Sequence, residues 1–302
     1  MAHQPNQLAH QLFEMAIANR DALEIKLDSV GDARVLDFAV GRAGSLEAGI
    51  LLGQICMGGL AQIAVCDGDG TLGLKSVEVS TDEPLLACIG SQYAGWPISC
   101  GDYFAMGSGP FRMLRGEEEV LATYELSTAP QQAVGVLESN QLPSNETLEQ
   151  MAAACGIEIS LLNVCVARTA SWPGAVQVVA RSIEVAMHKL NELQFDLRTI
   201  CSAVGKAPLP PLAGDDMTAL GWTNDAILYA LPVCAPYSTL SKYKYRVKLT
   251  PGSLKRGKAS KQAVEMFVRG DTDKSPKAEE LHRFIKAVDD NTWVQSMIGD
   301  CK

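Results

Sequence analysis

Residues 169–193, TASWPGAVQVVARSIEVAMHKLNEL, carry polar side chains at a spacing suited to chemistry. On a helix of 3.6 residues per turn, Gln177, Arg181, Glu184 and His188 fall on one narrow stripe. Arg181 and Glu184 are three apart, so their side chains meet on that face. The pair could be an ordinary surface ion pair, worth roughly 0.2–0.5 kcal/mol. It could equally be a general base with its charge partner. A partly buried carboxylate can take a proton from water, while a neighbouring guanidinium keeps it ionised and stabilises developing negative charge. Spacing leaves both readings open.

The flanks of the stripe set it apart. Ala180 and Met187 lie on one side and Val178 and Val185 on the other, with Val176, Val179, Ile183, Ala186 and Leu190 behind. A solvated helix face is normally broad and charged. A thin polar line in an apolar cylinder predicts a buried helix, reached by a short loop, that lines a pocket.

Other elements must hold that helix. Periodicity predicts a helix over residues 7–20, a strand from Arg34 and a small-residue helix from about Ser45 to Met57. Strands are expected at 60–66 and 72–80, joined by the turn sequence DGDG. Further strands are expected at 120–125, 132–137 and 159–167, a helix at 146–154, and extended backbone through APLPPLAGDD. GWTNDAILYALPV reads as a loop followed by a strand or helix, and Ser275 and Pro276 open a last amphipathic helix. The polar stretch SNQLPSNE marks a domain boundary, giving residues 1–143 and 144–302 with segments free to cross over. The fold class expected is α/β of the α+β type, two mixed domains around a pocket.

Composition narrows the function. The chain has 302 residues, 47% hydrophobic and 20% charged, which suits a sizeable core. Net charge is -9, which argues against nucleic-acid or anionic-membrane binding. Nine cysteines without pairing spacings, and no signal-peptide pattern at the start, read as reduced thiols in a cytoplasmic protein. The run AGILLGQICMGGLAQIAV holds two glutamines and four glycines and lacks basic flanks, so it reads as a buried helix turning into a strand. Asp67, Asp69, Thr71 and Glu78 mimic a calcium loop, but Leu72 stands where its turn needs glycine, and a hairpin is the simpler reading. No CxxC, HExxH or His pair supports a metal. GSGP, at Gly107, Ser108 and Gly109, offers backbone N–H groups to an anion or close approach to a flat ligand, without the lysine of a P-loop. Residues 242–261 hold eight Lys and Arg and no acid; they read as a solvated hairpin, a subunit contact or an anion attractor.

Four strings go further. SQYAGW (91–96), YFAMGSGP (103–110), ARTAS..G..Q..AR..E...HKL (167–190) and TNDAILY (223–229), in this order, resemble the methenyltetrahydromethanopterin cyclohydrolase family. The resemblance implies two α/β domains in a homotrimer. It also implies a substrate in which a methenyl carbon bridges two nitrogens of tetrahydromethanopterin or a dephospho relative. Water adds to that carbon, and one C–N bond opens to leave a formyl group on N5, with no metal and no redox cofactor. The family's catalytic Arg and Glu match Arg181 and Glu184. Tyr93 and Trp96 would then face the pterin or pack in the core. Gln92, Gln177, Asn224 and Asp225 would bond its edges, and Gly107, Ser108 and Gly109 would line the pocket.

Pro97, Trp172 and Pro173 do not fit the family pattern clearly, and the basic 242–261 segment looks inserted. With the cysteine-rich composition these suggest a bacterial branch working in formaldehyde oxidation. Alternatives are a hydrolase of a folate-type cyclic amidine and a pterin-binding protein without turnover. His188 is read as a structural histidine at the end of the stripe.

Overall fold

A computed structural model describes residues 4–67, 75–129, 132–192 and 194–229, with strand segments at 245–251, 263–268 and 294–297. In chain order the elements are α1 (Pro5–Ala18), α2 (Arg20–Leu23), β1 (Lys26–Val30), β2 (Ala33–Ala39), α3 (Leu46–Cys56), β3 (Gln62–Cys66) and β4 (Ser76–Thr81). A π-helix (Leu85–Gln92) leads to β5 (Trp96–Cys100), β6 (Tyr103–Ser108), α4 (Arg112–Arg115), α5 (Glu119–Thr123), β7 (Ala133–Glu138) and α6 (Asn145–Ala154). Then follow β8 (Leu162–Ala167), α7 (Trp172–Val179), α8 (Ser182–Glu192), β9 (Ile200–Pro208), α9 (Asp216–Tyr229), β10 (Tyr245–Pro251), β11 (Ala263–Val268) and β12 (Val294–Met297).

The first sheet has the order β1-β2-β8-β7-β6-β5. Its centre is parallel, with Val35 beside Val164 and Val136 beside Cys165. Every residue of β8 is buried, because helices cover both faces. Val164 and Val166 join a core with Leu148 and Met151 of α6, while Cys165 and Ala167 face Phe13 of α1 and Leu52 and Ile55 of α3.

The second sheet has the order β12-β10-β11-β9-β4-β3 and its neighbours run antiparallel. Val77 and Val79 of β4 and Ala203 and Ala207 of β9 share a core with Val176, Val179, Ile183, Met187 and Leu190 of α7 and α8. The mixed α/β architecture is the one expected. Each sheet draws strands from both sides of residue 143.

The apolar run of α3 is a buried helix followed by a strand. Ser45 caps it by accepting from the Ala48 N–H at 3.2 Å. Gly49 and Gly53 let α7 and β3 come close: a Cβ on Gly49 would sit 2.7 Å from Val176 Cβ, and one on Gly53 2.6 Å from Ile63 Cδ1. The α7–α8 segment is thereby wedged between α3 and the second sheet.

Residues 119–123 are helical, contrary to the strand expected at 120–125. Val120, Thr123 and Tyr124 favour strands locally, but Leu121 alone is buried, and its N–H bonds Glu118 O to begin a single turn. The acids at its start suit a helix N-terminus. The GWTNDAILY segment resolves as the helix α9. The DGDG turn, the would-be calcium loop and the final helix fall wholly or mainly outside the described residues, as does the basic segment apart from β10.

Candidate active site

The polar stripe does not lie on one continuous helix. Residue Ala180 closes α7, and the Arg181 N–H bonds Val178 O at 3.0 Å, three residues back. That tightening resets the helix before α8, whose first bond runs from Val185 N–H to Arg181 O at 2.9 Å. Arg181 therefore stands at a joint, and Glu184 lies in the first turn of α8. The positive end of the α8 dipole favours its carboxylate. Both side chains are buried, at 7% and 5% exposure, so the solvated-pair reading fails.

What holds Arg181 comes from far away in sequence. Its Nη1 donates to Gln92 O at 2.6 Å, and its Nη2 to Ser108 Oγ at 3.2 Å. Gln92 ends the π-helix, whose last carbonyls have no donors within the helix. A second arginine, Arg112, sends Nη1 to the carbonyls of Ile89, Gly90 and Ser91 at 3.1–3.3 Å. Its other nitrogens pair with Glu118, Nε at 2.8 Å from Oε1 and Nη2 on Oε2. The Gly109 N–H also donates to Ser91 O, at 2.7 Å. Gly109 has φ +106, which a side chain would strain.

Burial pushes the Glu184 carboxyl above its ordinary value, and the charges of Arg181, His188 and Arg112 oppose that rise. Among the described residues no hydrogen bond or ion pair engages this carboxylate. A carboxylate buried, unbonded and poised upward is suited to exchanging a proton with a bound water.

At His188, one turn further along α8, opens a cavity of about 420 Å³ lined by Tyr93, Gly95, Glu118, Glu119, Val120, Thr123, His188 and Asn191; Glu184 and Arg181 are not among its lining residues. That volume is within the range of small-molecule sites. His188, one turn beyond Glu184, stacks on Tyr93 with centroids 4.8 Å apart and planes at 18°. Its Nδ1 lies 3.7 Å from Glu192 Oε1. His188 thus lines the cavity as well as making structural contacts.

The remaining expected site residues fall into four groups. Ser108 and Gln177 join Arg181 in a buried chain: Gln177 Nε2 meets Cys56 Sγ at 3.4 Å, and Cys56 Sγ meets Ser108 Oγ at 3.3 Å. The side-chain amide of Gln92 is buried, and neither its nitrogen nor its oxygen meets a partner among the described residues. Of the two positions expected for Trp96, the structure shows core packing. Trp96 points inward from β5, packed on Phe111 at 4.7 Å and covered by the Arg115 guanidinium at 4.6 Å. Gly107 is close-packed against Ile98 and Phe111. Asn224 and Asp225 are exposed on α9, and no described contact joins them to Arg181 or Glu184.

Sequence reading missed Arg112, Glu118 and the π-helix. The signal available was the string GPFRML, where an arginine follows a glycine turn among apolar residues. Among the described residues no group of three or more His, Cys, Asp or Glu could hold a metal ion, and no helix is long and apolar enough to cross a membrane.

A family model described as Cyclohydrolase (MCH) matches residues 5–252, which include every site element above. This chain belongs to the methenyltetrahydromethanopterin cyclohydrolase family. Several relatives bear that name, three of which illustrate the match. The one from Rhodopirellula baltica is 49% identical over 212 residues, 68% of this chain and 63% of the relative. That from Xanthobacter autotrophicus is 41% identical over 72% of this chain and 65% of the relative. The Methanospirillum hungatei cyclohydrolase is 40% identical, covering 74% and 72%. The match therefore spans under two thirds of the length of the first two cyclohydrolases. A second family model, the NFACT protein C-terminal domain, matches residues 213–302, so the basic segment lies where the two matches meet or beyond.

Proposed function

We propose that this chain hydrolyses a methenyl-bridged tetrahydromethanopterin, phosphorylated or dephospho, to the 5-formyl form. The observation that carries the reading is Glu184: buried, raised by that burial, and beside a guanidinium that two distant elements hold in place. The substrate's bridging carbon is part of a cationic amidinium. A water on Glu184 adds to that carbon as the carboxylate takes one of its protons. The tetrahedral adduct then collapses: the acid form of Glu184 protonates the departing nitrogen, that C–N bond breaks, and the hydroxyl gives up its proton to solvent as the carbon–oxygen bond becomes a carbonyl, so the cation and water yield the neutral formyl product and one released proton. A single carboxylate serves both steps if it titrates near the working pH. Arg181 sets the charge and position of Glu184 and faces the oxygen as it gains charge.

The cavity behind the Tyr93–His188 stack supports a flat ring as ligand. The unpartnered Gln92 amide supports a contact to the ring's polar edge once the site is filled. Gly107, Ser108, Gly109 and Gln177 act from behind, through Arg181 and the packing beneath it, while Asn224 and Asp225 are left for a more distant part of the carrier. In this reading the chain works in the cytoplasm, as a homotrimer, without metal or redox cofactor, and in the bacterial branch of one-carbon oxidation.

The test is loss of the methenyl chromophore on mixing with methenyltetrahydromethanopterin, and in parallel with methenyltetrahydrofolate. Turnover of the first carrier alone supports the reading. Turnover of the folate alone would favour the related cyclic-amidine hydrolase, and tight binding without formyl product a binding protein.

A further inference from the structure

Arg112 lies outside the sequence stripe and has no exposed surface, the largest side chain so enclosed among the described residues. A buried guanidinium is costly unless its donors are satisfied. Here they are satisfied in a particular place. Nη1 meets three consecutive main-chain oxygens at the end of the π-helix, Ile89, Gly90 and Ser91, and the oxygen of the next residue, Gln92, receives Arg181. The guanidinium also lies over the Tyr93 ring, its carbon 5.1 Å from the centroid. Glu118 closes the fork from the other side.

A π-helix is a rare element found mostly as a short insert. Its terminal carbonyls point in fixed directions only if something bonds them. We infer that Arg112 is a positioning residue for the reaction: by pinning the last carbonyls of the π-helix it presents Gln92 O to Arg181 and holds Tyr93 at the cavity wall. Arg112 bonds Glu118 and covers Tyr93, both of which line the cavity, and it makes no hydrogen bond or ion pair with Glu184, so beyond the long-range effect of its charge it acts through those two residues and Arg181. A planar fork with five donors can do this, whereas the point charge of lysine cannot bond three carbonyls and a carboxylate at once.

This inference rests on the cyclohydrolase reading for its kinetic arm. The test is a double-mutant cycle of Arg112→Met and Arg181→Lys, with Arg112→Lys as a charge-retaining companion should the Met variant fail to fold. If Arg112 works through Arg181, each single change lowers kcat about 10- to 100-fold. The second change then adds less than about 3-fold, because neighbours in one network do not combine additively. Multiplying effects would overturn the inference. So would a KM rise with unchanged kcat. The structural arm needs no turnover: a crystal structure of the Arg112 variant should show the Arg181 to Gln92 contact broken or lengthened beyond hydrogen-bond range. Retention of that contact at its present 2.6 Å would overturn the inference even in a protein that hydrolyses nothing. Absence of turnover in the unaltered protein would count against the cyclohydrolase reading alone.

Discussion

The guanidinium of Arg181 donates to the main-chain oxygen of Gln92 at 2.6 Å, across 89 positions of sequence. It joins the joint between α7 and α8 to the end of the π-helix. Glu184 sits one turn along from that joint, so the position of its charge partner depends on two elements folded far apart in the chain.

Replacing Glu184 with Gln should lower turnover by about 10²- to 10⁴-fold, the typical contribution of a positioned acid–base group. It should leave binding of the methenyl substrate within a few fold. Turnover close to that of the parent would remove Glu184 from the mechanism.

The same substitution should change stability in a pH-dependent way. The folded carboxyl of Glu184 is raised by burial, with the arginines and His188 opposing. Between the unfolded and the folded pKa the native state binds more protons than the unfolded one, so stability falls as pH rises through that window. The cost of the ionised, buried carboxylate is thus present above the folded pKa and absent below the ordinary carboxylate range. Glu184→Gln should therefore raise Tm relative to the parent at alkaline pH and give no gain at low pH. An equal Tm difference at both extremes would contradict the buried setting.

Under the proposed mechanism, in which the base form of Glu184 takes the water's proton, turnover should rise with pH along an acid limb set above the ordinary glutamate range. The charges facing Glu184 are those of Arg181, His188 and Arg112. Arg181 opposes the rise most, so the residual turnover of Arg181→Met should show its acid limb at higher pH than that of Arg181→Lys. Coincident limbs would show that Arg181 does not tune the carboxyl.

Tyr93 and His188 stack at the cavity wall, and such pairs are worth about 0.5–1.5 kcal/mol beyond burial. Tyr93→Ala should raise KM by roughly 3- to 10-fold with a smaller change in kcat, and Tyr93→Phe should behave like the parent. A Phe variant as impaired as the Ala variant would point to the hydroxyl instead of the ring.

Trp96 offers the contrasting case. Its ring lies at 6% exposure between Phe111 and Arg115. Trp96→Ala should destabilise by about 3–5 kcal/mol, as large-to-small core changes do. The folded fraction should bind substrate with unchanged KM, so a specific KM defect with full stability would return Trp96 to the pocket.

Much of this was legible in short-range pattern. The apolar runs around Val35 and Leu36 and around Val164 and Cys165 identified strands, whose burial on both faces the structure then showed. Ser45 and the small residues after it identified a helix running to about Met57. The interval between Arg181 and Glu184 put both on one helical turn and, with the apolar flanks, argued for a buried pair. These features depend on residues a few positions apart, where backbone geometry dictates the spacing.

Other features depended on contacts that no local window contains. The strand expected at 120–125 became a helical turn because only Leu121 had a core to enter. Trp96 and Tyr93, three apart in one string, parted company: Trp96 went to the first sheet's core and Tyr93 to the cavity. The break after Ala180, the π-helix and the enclosure of Arg112 depend on pairings 20 to 90 residues apart. The sequence by itself determined which side chains could perform hydrolysis and the order of most elements that carry them. Only the tertiary structure decided that Arg181 is clamped and Glu184 desolvated, because burial and hydrogen-bond partners are properties of the packed chain.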